Sequence, residues 1–259
     1  VGNPYGYWLP VDLSVHGASV DRLIWIIHAF MAVLFVGWGI FFVYCLGRFR
    51  RSANPRAQYE PVKAKISKFL EAGVVVFEAF LLVGLSMPAW AAYKNEPPPA
   101  DKALHVRVVG QQFQWNFHYA GPDGKFGRTR PDLMDGVNPL GIDRDDPDAK
   151  DDFFTINRLV VPAGRPVIAH ITAKDVIHSF FLPVLRVKQD AIPGMEIPIW
   201  FTAKAEASGK FDVACAQLCG NQHYRMRGEL TIAPPAAFDA WFASKGKAEI
   251  PMPVEKDAK

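Results

Sequence analysis

Gln112-Phe113-Gln114-Trp115-Asn116-Phe117-His118-Tyr119 alternates polar and aromatic residues without a break. Strict alternation is the period of a strand with one buried face. Phe113, Trp115, Phe117 and Tyr119 share that face, so the stretch predicts a strand lying on an apolar core. Shorter runs follow at 158–161, 166–173, 196–203, 211–215 and 228–232, parted by Gly and Pro. Short strands with turn residues between them predict a β-sandwich or barrel. Beyond them the period changes. Phe238, Trp241 and Phe242 fall at i, i+3 and i+4, which predicts an amphipathic helix within 235–245 that Gly246 ends.

Upstream of the strands the chain is apolar. Leu23 to Leu46 holds no Asp, Glu, Lys or Arg. About 20 apolar residues cross the ~30 Å hydrocarbon core as a helix. Phe69 to Tyr93 is a second such run, and it contains Glu71 and Glu78. That separation is nearly two helical turns, so both carboxyls leave one face. A carboxyl within a membrane is costly and usually faces protein or a water path. A hydrated boundary residue is the plainer reading of Glu71. His28, inside the first run, reads as a hydrogen-bonding group and not a ligand. Between the runs, Arg48, Arg50, Arg51, Arg56, Lys63, Lys65 and Lys68 outweigh one acid, Glu60. Loops rich in Lys and Arg lie on the cytoplasmic side, which puts both chain ends outside.

The chain therefore divides into five parts. Residues 1–21 are an outer lead-in whose Tyr5, Tyr7 and Trp8 suit a membrane interface. Residues 22–94 are a helical hairpin with a cytoplasmic basic loop at 47–68. A stiff Pro-rich linker, 95–101, leads to a β-domain at 102–246, and a polar tail fills 247–259.

The chemistry lies late in the β-domain. Cys215, Cys219, His223 and Met226 follow at spacings of four, four and three, and His178 stands upstream in Asp175-Val176-Ile177-His178-Ser179-Phe180. Two thiolates, two imidazoles and a thioether are soft donors that select copper over magnesium, calcium or manganese. A mononuclear blue-copper site needs one Cys, two His and a weak Met. The extra Cys lets both sulfurs bridge two coppers, each capped by one His. Met226 and the main-chain carbonyl of Gln217 complete that set. A bridged pair shares one electron over both metals, which suits electron transfer. Two plainer readings stand beside it. One is a Cys215–Cys219 disulfide, which persists outside the cytoplasm. The other is a zinc site, for which Met is a poor ligand. Cys45, in the first apolar run, reads as an inert buried thiol.

The order His…C-x3-C-x3-H-x2-M after two spans resembles subunit II of the haem–copper cytochrome c oxidases, from about residue 12 to about residue 245. Asp190-Ala191-Ile192-Pro193-Gly194 matches a further motif of that family. The resemblance implies a two-helix transmembrane hairpin followed by an all-β cupredoxin domain, a Greek-key barrel. It places that domain on the periplasmic side of a bacterial inner membrane. It implies an electron-accepting subunit with dinuclear copper held by His178, Cys215, Gln217, Cys219, His223 and Met226. Electrons come from a c-type cytochrome and leave, on the His223 side, for haem a in subunit I. There dioxygen is reduced and protons are pumped. Oxidase subunits I and III and membrane lipid are the implied partners.

The resemblance also assigns residues in the spans and marks departures. Glu71 aligns with a family Glu at the entrance of a proton channel shared with subunit I. Glu78 stands where relatives carry an apolar residue or Pro, and is assigned an added proton-path or subunit-contact role. The exposed Trp through which electrons enter in the family is Phe113 here. Trp115 matches the next family Trp, so both are candidates, with core packing the plainer reading of Trp115. Gln217 replaces a Glu that in many relatives helps hold magnesium. A neutral amide is a weaker ligand for a hard cation, which weakens the case for magnesium but leaves the carbonyl role intact. Gly121-Pro122-Asp123-Gly124, Phe113 and Gln217 resemble the caa3-like branch, and some of its members work beside alternative complex III. No C-x-x-C-H haem motif occurs, so the donor haem is expected on another protein. The Asp-rich stretch 143–152 lacks the calcium-loop pattern and reads as a solvated loop whose acidity would steer a basic donor.

Composition removes other classes. The formal charge is +3 over 259 residues, and no run alternates basic and aromatic residues, so a nucleic-acid partner is not indicated. A quinol oxidase subunit lacks the copper ligands present here. A nitrous-oxide reductase needs a further His-rich copper domain, which seven His do not supply. A copper-delivery protein exposes its metal for transfer.

Overall fold

The computed structural model describes residues 8–56, 59 and 65–250. Tyr5, Tyr7, Glu60, Lys63 and tail residues 251–259 lie outside the described residues. The chain forms two compact units, residues 19–95 and residues 1–18 with 96–259.

The first unit is the helical hairpin. Its helices, Gly17–Arg48 and Lys65–Asn95, are both long and apolar enough to cross a membrane. Phe30 and Phe77 pack ring to ring between them, with centroids 4.4 Å apart. Most of the other large apolar side chains, among them Phe35, Trp38, Phe41 and Val76, are exposed on the isolated chain. That is the surface a helix presents to lipid or to neighbouring helices. The second helix widens to a π-helix over Phe80–Ser86, just before Pro88. Pro88 has no N–H, and its ring crowds the carbonyl four residues back. The wider turn relieves that crowding, and Ser86 Oγ donates to the Leu81 carbonyl at 3.0 Å within it.

The second unit is built on two five-stranded sheets. The first runs β3-β2-β1-β5-β8, with β1 Leu104–Gln111, β2 Gln114–Tyr119, β3 Phe153–Ile156, β5 Pro166–Ala173 and β8 Ile197–Thr202. The second runs β4-β10-β9-β6-β7, with β4 Arg158–Pro162, β6 His178–Leu182, β7 Val187–Ala191, β9 Gly209–Cys215 and β10 Arg227–Ala233. Neighbours distant in sequence pair in parallel, β1 with β5 and β4 with β10. This is the two-sheet, barrel-like β-domain that the strand pattern implied. Val106, Val108, Trp115, Phe117, Phe180, Leu159, Val213 and Leu230 fill the space between the sheets. The helix Pro235–Ala243 closes one end with Phe238 and Trp241 fully buried.

Three features differ from the reading of the sequence. The aromatic stretch is not one strand: Gln112 and Phe113, joined by a cis peptide, form a hairpin turn between β1 and β2. Its polar positions are also buried, since Asn116 and His118 are covered as fully as Trp115 and Phe117. The covering layer is the segment between β2 and β3, expected as a solvated acidic loop. It has a small core of its own, Val109, Leu140, Ile142 and Ala149, with Phe154 packed on it. Two of its acids, Asp143 and Asp152, turn inward, while Asp145 and Asp148 stay exposed. Buried Asp143 accepts Arg128 Nε and Nη2 at 3.1 and 2.8 Å. Those bonds hold its carboxyl below the usual range. Fully buried Asp152 accepts His118 Nε2 at 2.7 Å and the Gly127 N–H at 2.8 Å. Asp143 and Asp152 therefore depart from the solvated reading of 143–152, whereas its other acids remain at least partly exposed. Finally, the lead-in is joined to the β-unit. Leu13 N–H donates to Val184, Val15 N–H to Thr202, and Lys204 reaches Asp12 at 3.0 Å.

Candidate metal centre

Strand pairing assembles the site. β6 and β9 are antiparallel, with Phe180 opposite Cys215. The Ala216 N–H continues the ladder to the Ser179 carbonyl at 2.9 Å. His178, at the head of β6, therefore arrives beside the loop that leaves β9. That loop runs from Cys215 through a short helical turn, His223–Arg225, and ends at Met226, where β10 begins.

Cys215 and Cys219 are both free thiols, with Sγ atoms 3.8 Å apart. A disulfide needs about 2.05 Å. One ligand atom from each of His178, Cys215 and Cys219 lies within 4.8 Å of the others. Cys219 Sγ is also 3.7 Å from His223 Nδ1 and 3.7 Å from Met226 Sδ. Cys215 Sγ is 3.2 Å from the Gln217 carbonyl oxygen. All six residues singled out in the sequence thus converge. Cys219, Met226 and His178 are buried, Cys215 and His223 are half-buried, and Gln217 is exposed. Leu218, Tyr224 and Ile177, which flank them, are exposed apolar side chains on the rim.

The thiols are unequal. Burial pushes Cys215 up, but hydrogen bonding to His178, to the backbone at Ser179 and Gln217, and to His223 outweighs it, lowering the thiol to about 6. Cys219 is raised to about 12, first by burial and then by the negative charge of Cys215 beside it. The metal-free pair therefore holds one thiolate and one thiol at neutral pH.

A layer around these groups escaped the sequence reading. Asp175 Oδ1 lies 2.9 Å from His178 Nε2, and its Oδ2 accepts the Gln112 N–H at 2.8 Å. Gln112 Nε2 donates to the Cys219 carbonyl at 2.7 Å. The β1–β2 turn thereby holds both ligand loops. With Nε2 committed to Asp175, the buried Nδ1 of His178 is left to the cysteine side, where the Cys215 sulfur is its neighbour. An imidazole nitrogen, two sulfurs not joined to each other and a buried thioether fit a soft metal ion. Gly110, on β1, makes room for the ring, since a Cβ there would meet His178 Cδ2 at 2.8 Å. Asp175 lies in the motif around His178 and had a signal in its i, i+3 spacing to it. Gly110 and Gln112 had none, because their role depends on how β1 lies against β6.

With the geometry established, likeness to known proteins becomes informative. The family model for the cytochrome c oxidase subunit II periplasmic domain matches residues 104–231. The chain is 33% identical to the alternative cytochrome c oxidase subunit 2 of Bradyrhizobium diazoefficiens, over 91% of this chain and 82% of the relative. This chain belongs to the cytochrome c oxidase subunit II family. Its β-domain is accordingly a cupredoxin fold, and the protein is a subunit of a haem–copper terminal oxidase. A Rickettsia bellii protein described as a probable cytochrome c oxidase subunit 2 is 31% identical, over 74% of this chain and 68% of that one. The crystal structure of the subunit II periplasmic domain from Bradyrhizobium japonicum is 31% identical. It covers 59% of this chain and 98% of its own, with a TM-score of 0.42.

Within a subunit II, the remaining candidates fall as follows. Trp115 is fully buried, its ring 6.0 Å from that of His178 and at 63° to it. It offers no surface to a docking protein, which corrects its reading as a point where electrons enter from outside. Phe113 sits half-buried at the hairpin turn, within reach of Gly220 in the cysteine loop. Glu71 and Glu78 both lie in the regular part of the second membrane helix and are exposed on the isolated chain.

Proposed function

We propose that His178, Cys215, Cys219, His223 and Met226, with the Gln217 carbonyl, hold a dinuclear copper centre that receives electrons for the oxidase. The observation that carries this is a pair of unbonded thiols 3.8 Å apart, ringed by two imidazoles and a thioether in a largely buried pocket. Copper bound by these residues would supply one-electron exchange. The protein's contribution is rigidity. The β6–β9 ladder fixes Cys215 against His178, Asp175 fixes the ring, and Gln112 fixes the loop carrying Cys219. A site held on all sides changes little in shape when its charge changes, which keeps the cost of electron transfer low.

In this reading the subunit takes electrons from a c-type cytochrome on the Phe113 side. It passes them on the His223 side to haem a in subunit I, for dioxygen reduction coupled to proton pumping. The exposed apolar rim at Ile177, Leu218 and Tyr224 suits a docking surface. The basic loop 47–68 supports a cytoplasmic hairpin bend, with both ends and the β-domain on the periplasmic side of a bacterial inner membrane. Glu71 would serve the proton path from the cytoplasmic side, and Glu78 the same path or a contact with another subunit. Subunit III and alternative complex III belong to the proposed surroundings. Gln217 leaves magnesium poorly supported. The test is copper loading of the full chain in detergent, read by metal analysis and EPR. Two coppers per chain and a seven-line hyperfine pattern are expected. One copper, a colourless zinc protein, or unchanged spectra in Cys219→Ser would refute the reading.

A further inference from the structure

Away from the sulfurs, a row of ionisable side chains crosses three strands of the first sheet. His105 and Arg107 stand on β1, His170 on β5, and Glu196 just ahead of β8. β1 and β5 run parallel with Arg107 opposite His170. His105 Nδ1 is 3.3 Å from His170 Nε2, the ring planes only 24° apart. The far nitrogen of His170, Nδ1, is 3.2 Å from Glu196 Oε1. The far nitrogen of His105, Nε2, is 3.0 Å from the Ala100 carbonyl oxygen, where the linker ends. The second oxygen of Glu196 takes Arg107 Nε at 2.9 Å.

Counting protons decides what this chain of contacts needs. Its two ends, a carboxylate and a carbonyl, can only accept. Three hydrogen bonds in series then need three protons on the four ring nitrogens. Two neutral imidazoles carry two, whereas one neutral ring and one imidazolium carry three. We propose that His105 and His170 form a one-proton latch, in which one extra proton lets the pair join Ala100 to Glu196 through three bonds in series and whose loss breaks that series at one of them.

The surroundings weigh against one of the two rings. His170 is held below its ordinary value, first by burial, with Arg107 and the charge of His105 adding to that and Glu196 opposing it. Burial thus disfavours holding the extra proton on His170 alone. Other groups near the pair are Phe126, which lies over Arg107 and edge-on to His170 without bearing charge, and exposed Asp101 and Lys102 beyond Ala100. The bound proton favours the latched form, so the latch is closed on the acid side and opens as pH rises past the pair's first deprotonation. The inference is independent of the copper reading, since none of these groups touches the sulfur site.

The test uses the full chain in detergent with ¹⁵N-labelled imidazoles, titrated by NMR from about pH 5 to 9, the span in which imidazoles titrate. His105 and His170 should report one shared step, as coupled sites do. Hydrogen exchange at Lys102 and Ala103, corrected for intrinsic rate, should quicken about fivefold above that step, the factor one ordinary hydrogen bond gives. His105→Gln keeps a donor and an acceptor but cannot titrate, and should remove the pH dependence of that exchange; His170→Gln provides the same check from the other ring. Independent titration of the two rings, or unchanged pH dependence in both variants, would overturn the latch.

Discussion

Gly110→Ala tests whether the backbone of β1 shapes the candidate metal centre. The added methyl would lie 2.8 Å from His178 Cδ2 and 3.0 Å from Cγ, where ordinary contact begins near 3.4 Å. About 0.6 Å of clearance must therefore open, the difference between those two distances. The ring has little freedom to provide it. Its backbone is paired with Ala191 of β7, its Nε2 is held by Asp175, and Trp115 packs against it. Gly110 is itself fixed between Trp115 and Ala173 in the ladders. Overpacking of this kind costs about 1–3 kcal/mol, which exceeds the ~0.5–1 kcal/mol that alanine gains over glycine in a strand. A ring pushed off Asp175 also loses the bond that orients it, worth about 10- to 100-fold in metal affinity. The assay is chelator competition for copper on the full chain in detergent, beside denaturant unfolding of the metal-free form. Unchanged copper affinity together with an unchanged unfolding midpoint would show that His178 is not confined as described.

Two further outcomes probe the same pocket. Asp175→Asn should lower copper affinity by about 10- to 100-fold in the same competition assay, because an amide cannot accept from both His178 and the Gln112 N–H. In the metal-free chain, alkylation followed by peptide mapping should find Cys215 modified first, at a rate rising through about pH 6, whereas Cys219 stays protonated until about 12 while Cys215 is intact. The sign follows from the thiolate being the nucleophile, so Cys215 falls silent below its lowered value. Equal rates at the two cysteines would contradict the unequal environment.

Much was legible in order along the chain because it depends on neighbours. Two long apolar stretches, the first free of charge and the second holding Glu71 and Glu78, announced two helices, and alternation announced β2. The spacing from Cys215 to Met226 announced one loop dense in soft donors. Four strands, β1, β3, β6 and β7, did not stand out. β6 is buried for most of its length and opens with His178 and Ser179, so it shows no alternation. The inward turn of Asp143 and Asp152 was likewise invisible, since an acid reads as solvated until its Arg or His partner is known.

The sequence by itself supplied the candidate donors and the two helices long and apolar enough to cross a membrane, because both are local: a ligand's chemistry belongs to its side chain, and such a helix is a matter of length and apolarity. Only the tertiary structure decided that His178 meets the two cysteines, that Trp115 is sealed inside, and that Gly110, Gln112 and Asp175 frame the ring. Those facts depend on which strands lie side by side. Hydrogen-bonded pairing of β6 with β9, and the β1–β2 turn meeting both ligand loops, place groups in contact across distances along the chain that no local pattern records.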